Sequence, residues 1–266
     1  MEQNERRLFL IKELLNESSE YSAAKIPEDP GEQKRLLRSL MNVRMPASVS
    51  GEFLAVQDEY LRGEIVEKGV TDAEELVPVR GNICLWKGDI TTLKCGAIVN
   101  AANSALLGCF CPCHGCIDNA IHTFAGVQLR LACAEIMRKQ GHEETTGGAK
   151  ITPAFNLPCE YVLHTVGPIV NDVLTENHKR QLASCYRSCL KLAEQNGIKN
   201  VAFCCISTGE FHFPNQRAAE IAVRTVIEFM NETQSEIRVI FNVFKDEDYE
   251  IYKRILEADR EAEKRN

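Results

Sequence analysis

The sequence predicts an α/β fold, a sheet covered by helices on both faces, with a small helical segment ahead of it. From about Val77 onward, short runs rich in apolar, largely β-branched residues alternate with longer stretches of helical periodicity. Before that point only helical periodicity occurs, broken by Pro and Gly. Alternation of this kind places helices over both faces of a largely parallel sheet. In such sheets ligands bind beyond the carboxyl ends of the strands, and here several loops that follow strands combine Gly with small and polar residues.

Each element follows from its own pattern. "ERRLFLIKELLNE", "GEQKRLLRSLMNVR" and "GEFLAVQDEYLRGEIVEKG" carry apolar residues three and four apart and read as amphipathic helices. They contain no compact group of His, Cys or paired acids, so residues 1–76 are expected to form a structural cap and residues 77–266 the main domain. "NICLWKG", "AIVNAAN", "AKITPAF", "YVLHTVG", "VAFCCIS" and "IRVIFNVF" read as strands. Helical patterns cover 117–140, 178–196, 216–232 and 246–263.

Composition narrows the function classes. A chain of 266 residues can bury a sizeable core as one large or two ordinary domains. No apolar run approaches the roughly 18 residues of a membrane span, and the N-terminus alternates charged and apolar residues where a signal peptide needs an apolar block. An unexported, cytoplasmic protein is expected. In that reducing compartment the dispersed cysteines, Cys84, Cys95, Cys133, Cys159, Cys185, Cys189, Cys204 and Cys205, read as core packing. A net charge of -7 without a basic cluster argues against a nucleic-acid partner. It leaves room for a local phosphate pocket built from backbone N–H groups, and "KGDITTL", "NAANSALLGCFCPCHGCIDN" and "STGEFHFPN" together point to a phosphorylated ligand.

The second of these loops holds Cys109, Cys111, Cys113, His114 and Cys116. So dense a cluster in a reducing compartment points to a metal. Because it is a single cluster without a second Cys-x-x-Cys pair elsewhere, it fits an open site of three protein ligands at least as well as a closed Cys3His site. A redox pair of Cys113 and Cys116 is the competing reading, without the βαβ context of a thioredoxin-like motif. Asp118 either is an acid favoured by the helix dipole or orients and deprotonates a water beside the metal. His122, one turn further on the same helix face, and His164, inside a strand, read as structural.

Seven segments carry a resemblance: "GDIT" from Gly88, "NAAN" from Asn100, "IDNAIH" from Ile117, "GGAKIT" from Gly147, "YVLHTVGP" from Tyr161, "STGEFHFP" from Ser207 and "VFKDEDYEIY" from Val243. In this order they resemble the macrodomain family in its hydrolytic MacroD-type branch. One departure stands out. Ordinary members have a glycine-rich stretch where this chain has "GCFCPCHGC", and that insertion, with the helical N-terminal segment, resembles the zinc-dependent, sirtuin-linked macrodomains of bacteria and fungi. The resemblance implies a three-layer α/β/α fold with a mixed central sheet, and one zinc per chain on Cys109, His114 and Cys116, leaving Cys111 and Cys113 as non-ligands. It implies that ADP-ribose lies in the cleft. Asp89 would accept from the adenine amino group, Ile90 contribute backbone, and Phe244 border the adenine; Asn100 and Asn103 would join the substrate-binding set, Asn103 facing the distal ribose. Ser207, Thr208, Gly209, Glu210 and Phe211 would wrap the diphosphate.

The implied activity is hydrolysis of mono-ADP-ribose from modified protein side chains, with Asp118 and Asn103 as the catalytic residues. The implied partners are an ADP-ribosylated protein of the lipoyl-carrying, glycine-cleavage-H-like kind and a sirtuin-type ADP-ribosyltransferase. Two alternatives stay open: a non-catalytic ADP-ribose reader with a structural zinc, and an O-acetyl-ADP-ribose deacetylase.

Overall fold

Polar caps set where the first helices begin. In the computed structural model, which describes residues 1–17, 21 and 24–263, helix α1 spans Gln3–Asn16 and is followed by α2 (Pro30–Val43) and α3 (Gly51–Lys68). The Asp29 carboxylate accepts from the Glu32 N–H at 2.8 Å, with Pro30 already fixed in a helical φ, and Ser50 caps α3 in the same way through the Phe53 N–H. The apolar faces meet in a core of their own, Leu10, Ile11, Leu37, Leu40, Phe53 and Leu61 among them, to which Val127 of the main body contributes.

Next come β1 (Thr71–Asp72), β2 (Pro78–Arg80), β3 (Ile83–Lys87), β4 (Leu93–Lys94) and β5 (Ala97–Ala102), then α4 (Ile117–Ala125), α5 (Val127–Gln140), β6 (Ala149–Pro153) and β7 (Tyr161–Val166). The chain continues through α6 (Glu176–Gln195), β8 (Asn200–Phe203), α7 (Asn215–Thr233), β9 (Arg238–Val243) and α8 (Asp246–Glu263). The large sheet runs β2-β3-β9-β8-β5-β7-β6 and is mixed: β2 and β6 are antiparallel to their neighbours and the five strands between them are parallel. Helices flank it, α6, α7 and α8 packed side by side as one layer, α4 and α5 as the other, with α2 and α3 laid against α4. No described helix is long and apolar enough to cross a membrane.

Because β3, β5, β7, β8 and β9 run parallel, their carboxyl ends open on one edge, and the loops after them gather there. The dispersed cysteines lie in the core as expected, all buried except the partly covered Cys205. Two details differ from expectation. The pair β1 and β4 joins the body at Thr71, ahead of residue 77, because Ala73 and Ile65 already belong to the main core. The helix expected over 117–140 is two helices, broken at Gly126, whose φ of +94° no helix accommodates. At the break the wholly buried Gln57 of α3 accepts from the Val127 N–H at 2.9 Å and donates to Gln128, so the N-terminal segment caps a helix of the body.

Candidate functional site

Three loops on the carboxyl edge form the site, and each is held differently. The loop after β5 carries the cysteine cluster. Cys109, His114 and Cys116 bring one ligand atom each to within 4.8 Å of one another, with Cys109 Sγ 3.5 Å from His114 Nδ1. Cys111 is exposed, and Cys113 turns its thiol toward α2, where it lies 3.2 Å from Ser39 Oγ and donates to the Arg35 carbonyl at 3.4 Å. The geometry therefore groups one histidine with two cysteines and leaves the other two outside. Such a soft, half-buried donor set fits a zinc-type cation with a position to spare. Burial pushes the Cys116 thiol up to about 12 and the neighbouring Cys109 and Asp118 add to the rise, so a bound cation is what would make it a thiolate at neutral pH. Cys116 is also the N-cap of α4, its sulfur accepting from the Asn119 N–H at 3.4 Å, where the helix dipole favours negative charge.

Asp118 sits in the first turn of that helix and is only 5 % exposed. Its Oδ1 accepts from Asn100 Nδ2 at 2.7 Å. Burial raises the carboxyl to about 6, against the pull of the Asn100 amide and the Arg130 charge. The other Asn100 amide hydrogen goes to His164 Nδ1 at 3.2 Å, which fixes that ring as the tautomer whose Nε2–H donates to Thr152 Oγ1 at 2.9 Å. Asn100, expected in the substrate-binding set, is wholly buried, with both amide hydrogens used on Asp118 and His164, so in this structure it supports the acid. His122 lies behind the carboxylate, Nε2 3.5 Å from Asp118 Oδ1, with neither ring nitrogen hydrogen-bonded among the described residues, and burial keeps it well below the ordinary histidine range. Its place on the Asp118 face is legible from the four-residue spacing; its closeness to the carboxylate is not.

Asn103 stands at the mouth of the cysteine loop. Its Oδ1 accepts from the Ala105 N–H and its Nδ2 donates to the Gly108 carbonyl, both at 3.1 Å, so its amide shapes the loop.

The loop after β8 is a cradle for an anion. Ser207 and His212 take left-handed φ values of 65° and 54°, and the turn is closed by Phe213 N–H to the Ser207 carbonyl at 2.9 Å and His212 N–H to Gly209 at 3.0 Å. The N–H groups of Gly209, Glu210 and Phe211 have no partner among the described residues, which is the arrangement that receives phosphate oxygens. Thr208 is held by its own loop through the Cys205 carbonyl. Gly167, at the end of β7, must lack a Cβ because one would run into the Ser207 hydroxyl. His114 Nε2 lies 3.5 Å from Glu210 Oε1, so the two loops meet across the cleft.

The third loop follows β3. Asp89 caps a short turn by accepting from the Thr91 N–H at 3.0 Å and its hydroxyl at 2.6 Å, and its other oxygen pairs with Lys68 Nζ at 2.8 Å. Burial alone would raise the Asp89 carboxyl; Lys68 and Thr91 more than offset it and hold it below the ordinary range. Ile90 is buried by its side chain, and Phe244, just past β9, is largely exposed. Lys68, Arg38 and Asn42, all from the N-terminal segment, were not among the residues expected near the site.

Comparison with known proteins agrees with this architecture. Residues 99–222 match a family profile described as Macro domain. A protein-ADP-ribose hydrolase of Treponema medium is 57 % identical over 260 residues, which is 96 % of this chain and 100 % of that protein. A protein of the same name from Staphylococcus aureus is 50 % identical over 264 residues, 98 % of this chain and 99 % of that one. Among solved structures, the Oceanobacillus iheyensis macrodomain with ADP superposes with a TM-score of 0.63 at 36 % identity over 70 % of this chain and 96 % of that chain. The Trypanosoma brucei macrodomain in complex with ADP-ribose gives 0.64 at 30 % identity over 86 % and 96 %.

Proposed function

The chain belongs to the macro domain family, and from that premise we propose that it is a zinc-dependent hydrolase that removes mono-ADP-ribose from modified protein side chains. Relatives named protein-ADP-ribose hydrolase match it over nearly their full length, and the solved neighbours include complexes with ADP and ADP-ribose. One observation carries the finer reading: a buried carboxylate with a raised pKa, Asp118, stands in the first turn of the helix whose cap is a member of the Cys109, His114, Cys116 cluster.

The steps performed by the protein's own groups follow from position. Ligand diphosphate oxygens are received by the free N–H groups of Gly209, Glu210 and Phe211. Asp89 has room on its carboxylate for the adenine amino group, and Phe244 borders the ring. Asn103 holds the loop mouth against the distal ribose. Asp118, kept in place by Asn100, takes the proton of the attacking water, whose oxygen goes to the carbon at the ribosyl linkage while the released side chain receives the proton. Cys109, His114 and Cys116 would hold zinc, which would supply Lewis acidity when bound. The same reading places the enzyme in the cytoplasm, acting on a lipoyl-carrying, glycine-cleavage-H-like protein modified by a sirtuin-type transferase.

The test pairs elemental analysis with turnover of an ADP-ribosylated protein before and after chelation, ADP-ribose affinity being followed separately. One zinc per chain, with turnover lost on chelation and ligand binding kept, is the expected result. Tight ADP-ribose binding with no turnover at any metal content would replace the hydrolase by a reader.

A further inference from the structure

We propose that helix α2 of the N-terminal segment is the outer shell of the metal loop, with Arg38 and Asn42 as the positioning residues that hold Cys109, His114 and Cys116 ready for the ion. This rests on the reading of the cluster as a zinc site. Between residues 109 and 116 the only backbone hydrogen bond among the described residues is His114 N–H to the Cys111 carbonyl, at 3.3 Å. A segment so poor in internal bonds does not define its own shape; its partners do.

Those partners come from α2. Arg38 donates to the His114 carbonyl at 3.0 Å, and its Nη2 and Nε grip Asn119 Oδ1 at 2.7 and 3.2 Å. Asn119, wholly buried, passes the contact on by donating from Nδ2 to the Cys111 carbonyl at 3.0 Å, and its N–H meets the Cys116 sulfur. Asn42, 1 % exposed, accepts from the Cys113 N–H at 2.9 Å and donates to Thr123 Oγ1 at 2.9 Å, tying the loop to α4. Cys113 adopts a left-handed φ of 53°, a conformation a non-glycine residue keeps only when its surroundings hold it. Arg130 of α5 adds a brace, donating to the carbonyls of Leu107 at the loop's base, of Met41 on α2 and of Arg44 just past its end. Partners of this kind fix ligands before the ion arrives, and their loss costs metal affinity roughly 10–100-fold.

The experiment measures the zinc dissociation constant of the full-length protein by competition with a chromophoric chelator, for the unaltered chain, Arg38→Ala, Asn42→Ala and Gln57→Ala. Gln57→Ala is the control, since it loosens the same segment against α5 away from the loop. The two loop variants are expected to bind zinc roughly 10–100-fold more weakly; Gln57→Ala should lower the melting temperature and leave zinc affinity alone. Cobalt(II) in place of zinc should keep its thiolate-to-metal absorption in all four proteins, because the ligands themselves are unchanged. Should Arg38→Ala not fold, Arg38→Lys keeps the charge and the stem but lacks the fork that reaches both the His114 carbonyl and Asn119, and the same weakening is expected. Unaltered affinity in folded Arg38 and Asn42 variants overturns the proposal while leaving zinc in place; no zinc on the unaltered chain overturns the zinc reading, and this proposal with it.

Discussion

The two loops that face each other across the cleft are built on opposite principles. The Ser207 loop is self-supporting: Phe213 and His212 close it onto its own carbonyls, and two left-handed residues give it its curve. The cysteine loop has almost no bonds of its own and is shaped by Arg38, Asn42 and Asn119, two of them some seventy residues earlier in the chain. A backbone cradle for an anion needs only local turn geometry, whereas a cluster of soft ligands must be brought together at fixed separations from outside. Zinc affinity and ADP-ribose affinity should therefore be separable.

The largest effect expected is at the buried acid in the first turn of α4. Asp118→Ala should lower turnover of an ADP-ribosylated protein by about 10²–10⁴-fold, with zinc content and ADP-ribose affinity close to those of the unaltered enzyme. Full turnover with zinc retained would remove Asp118 from the chemistry and leave the metal loop as a clasp.

Next in size is a test of the self-supporting loop. Gly167→Ala places a methyl against the Ser207 hydroxyl and the Ile206 side chain, so the cradle must shift. Overpacking of this kind costs about 1–3 kcal/mol, and ADP-ribose affinity, read by calorimetry, should fall about tenfold or more. Zinc affinity should not change; a parallel loss of zinc would break the claimed independence of the two loops.

A third measurement addresses the buried layer beneath the acid. His164 is fully buried and held down to about 4 by loss of solvation. A histidine depressed in the folded state binds fewer protons there than in the unfolded chain, so its contribution to stability is present above the unfolded value near 6.5 and is lost as pH falls toward 4. The loss should amount to about 3 kcal/mol across that window, seen in denaturant titrations. His164→Gln should flatten this dependence; an unchanged slope would show that other groups carry it.

The contrast between the loops also decides how much could be read from sequence. Six of the strands and the loops that follow them can be read from local periodicity and turn residues, and the cysteine cluster announces itself, whereas the short strands β1, β2 and β4 and the order of strands in the sheet are set by long-range pairing. Arg38, Asn42 and Lys68 sit on helices whose polar positions look like ordinary solvated faces; nothing local distinguishes the ones that reach into the body. Asn100 is hidden for a related reason. Its strand is buried on both faces, so alternation does not say which way a polar residue points. The break at Gly126 is likewise settled by Gln57, from a different helix, supplying the cap that a continuous helix would not need.

Lys68 provides the smallest and most discriminating test, since it extends the N-terminal segment to the other end of the cleft. Its ammonium pairs with Asp89 at 2.8 Å and lies 3.5 Å from the centroid of the Phe124 ring. Both charged groups are about a third exposed, with side-chain exposures of 35 % and 37 %, so solvent screens the pair and its worth is at most about 1 kcal/mol. Thr91 engages one carboxylate oxygen and Lys68 the other, which leaves the acid oriented and ionised. Lys68→Met should therefore weaken ADP-ribose binding by no more than about fivefold, and raised salt should shrink the difference between the two proteins. Tighter binding by the variant would instead make Lys68 a competitor for Asp89. The N-terminal segment would then restrain one end of the cleft while holding the other in shape, and the two loops would differ in what that segment does to them as well as in how they are built.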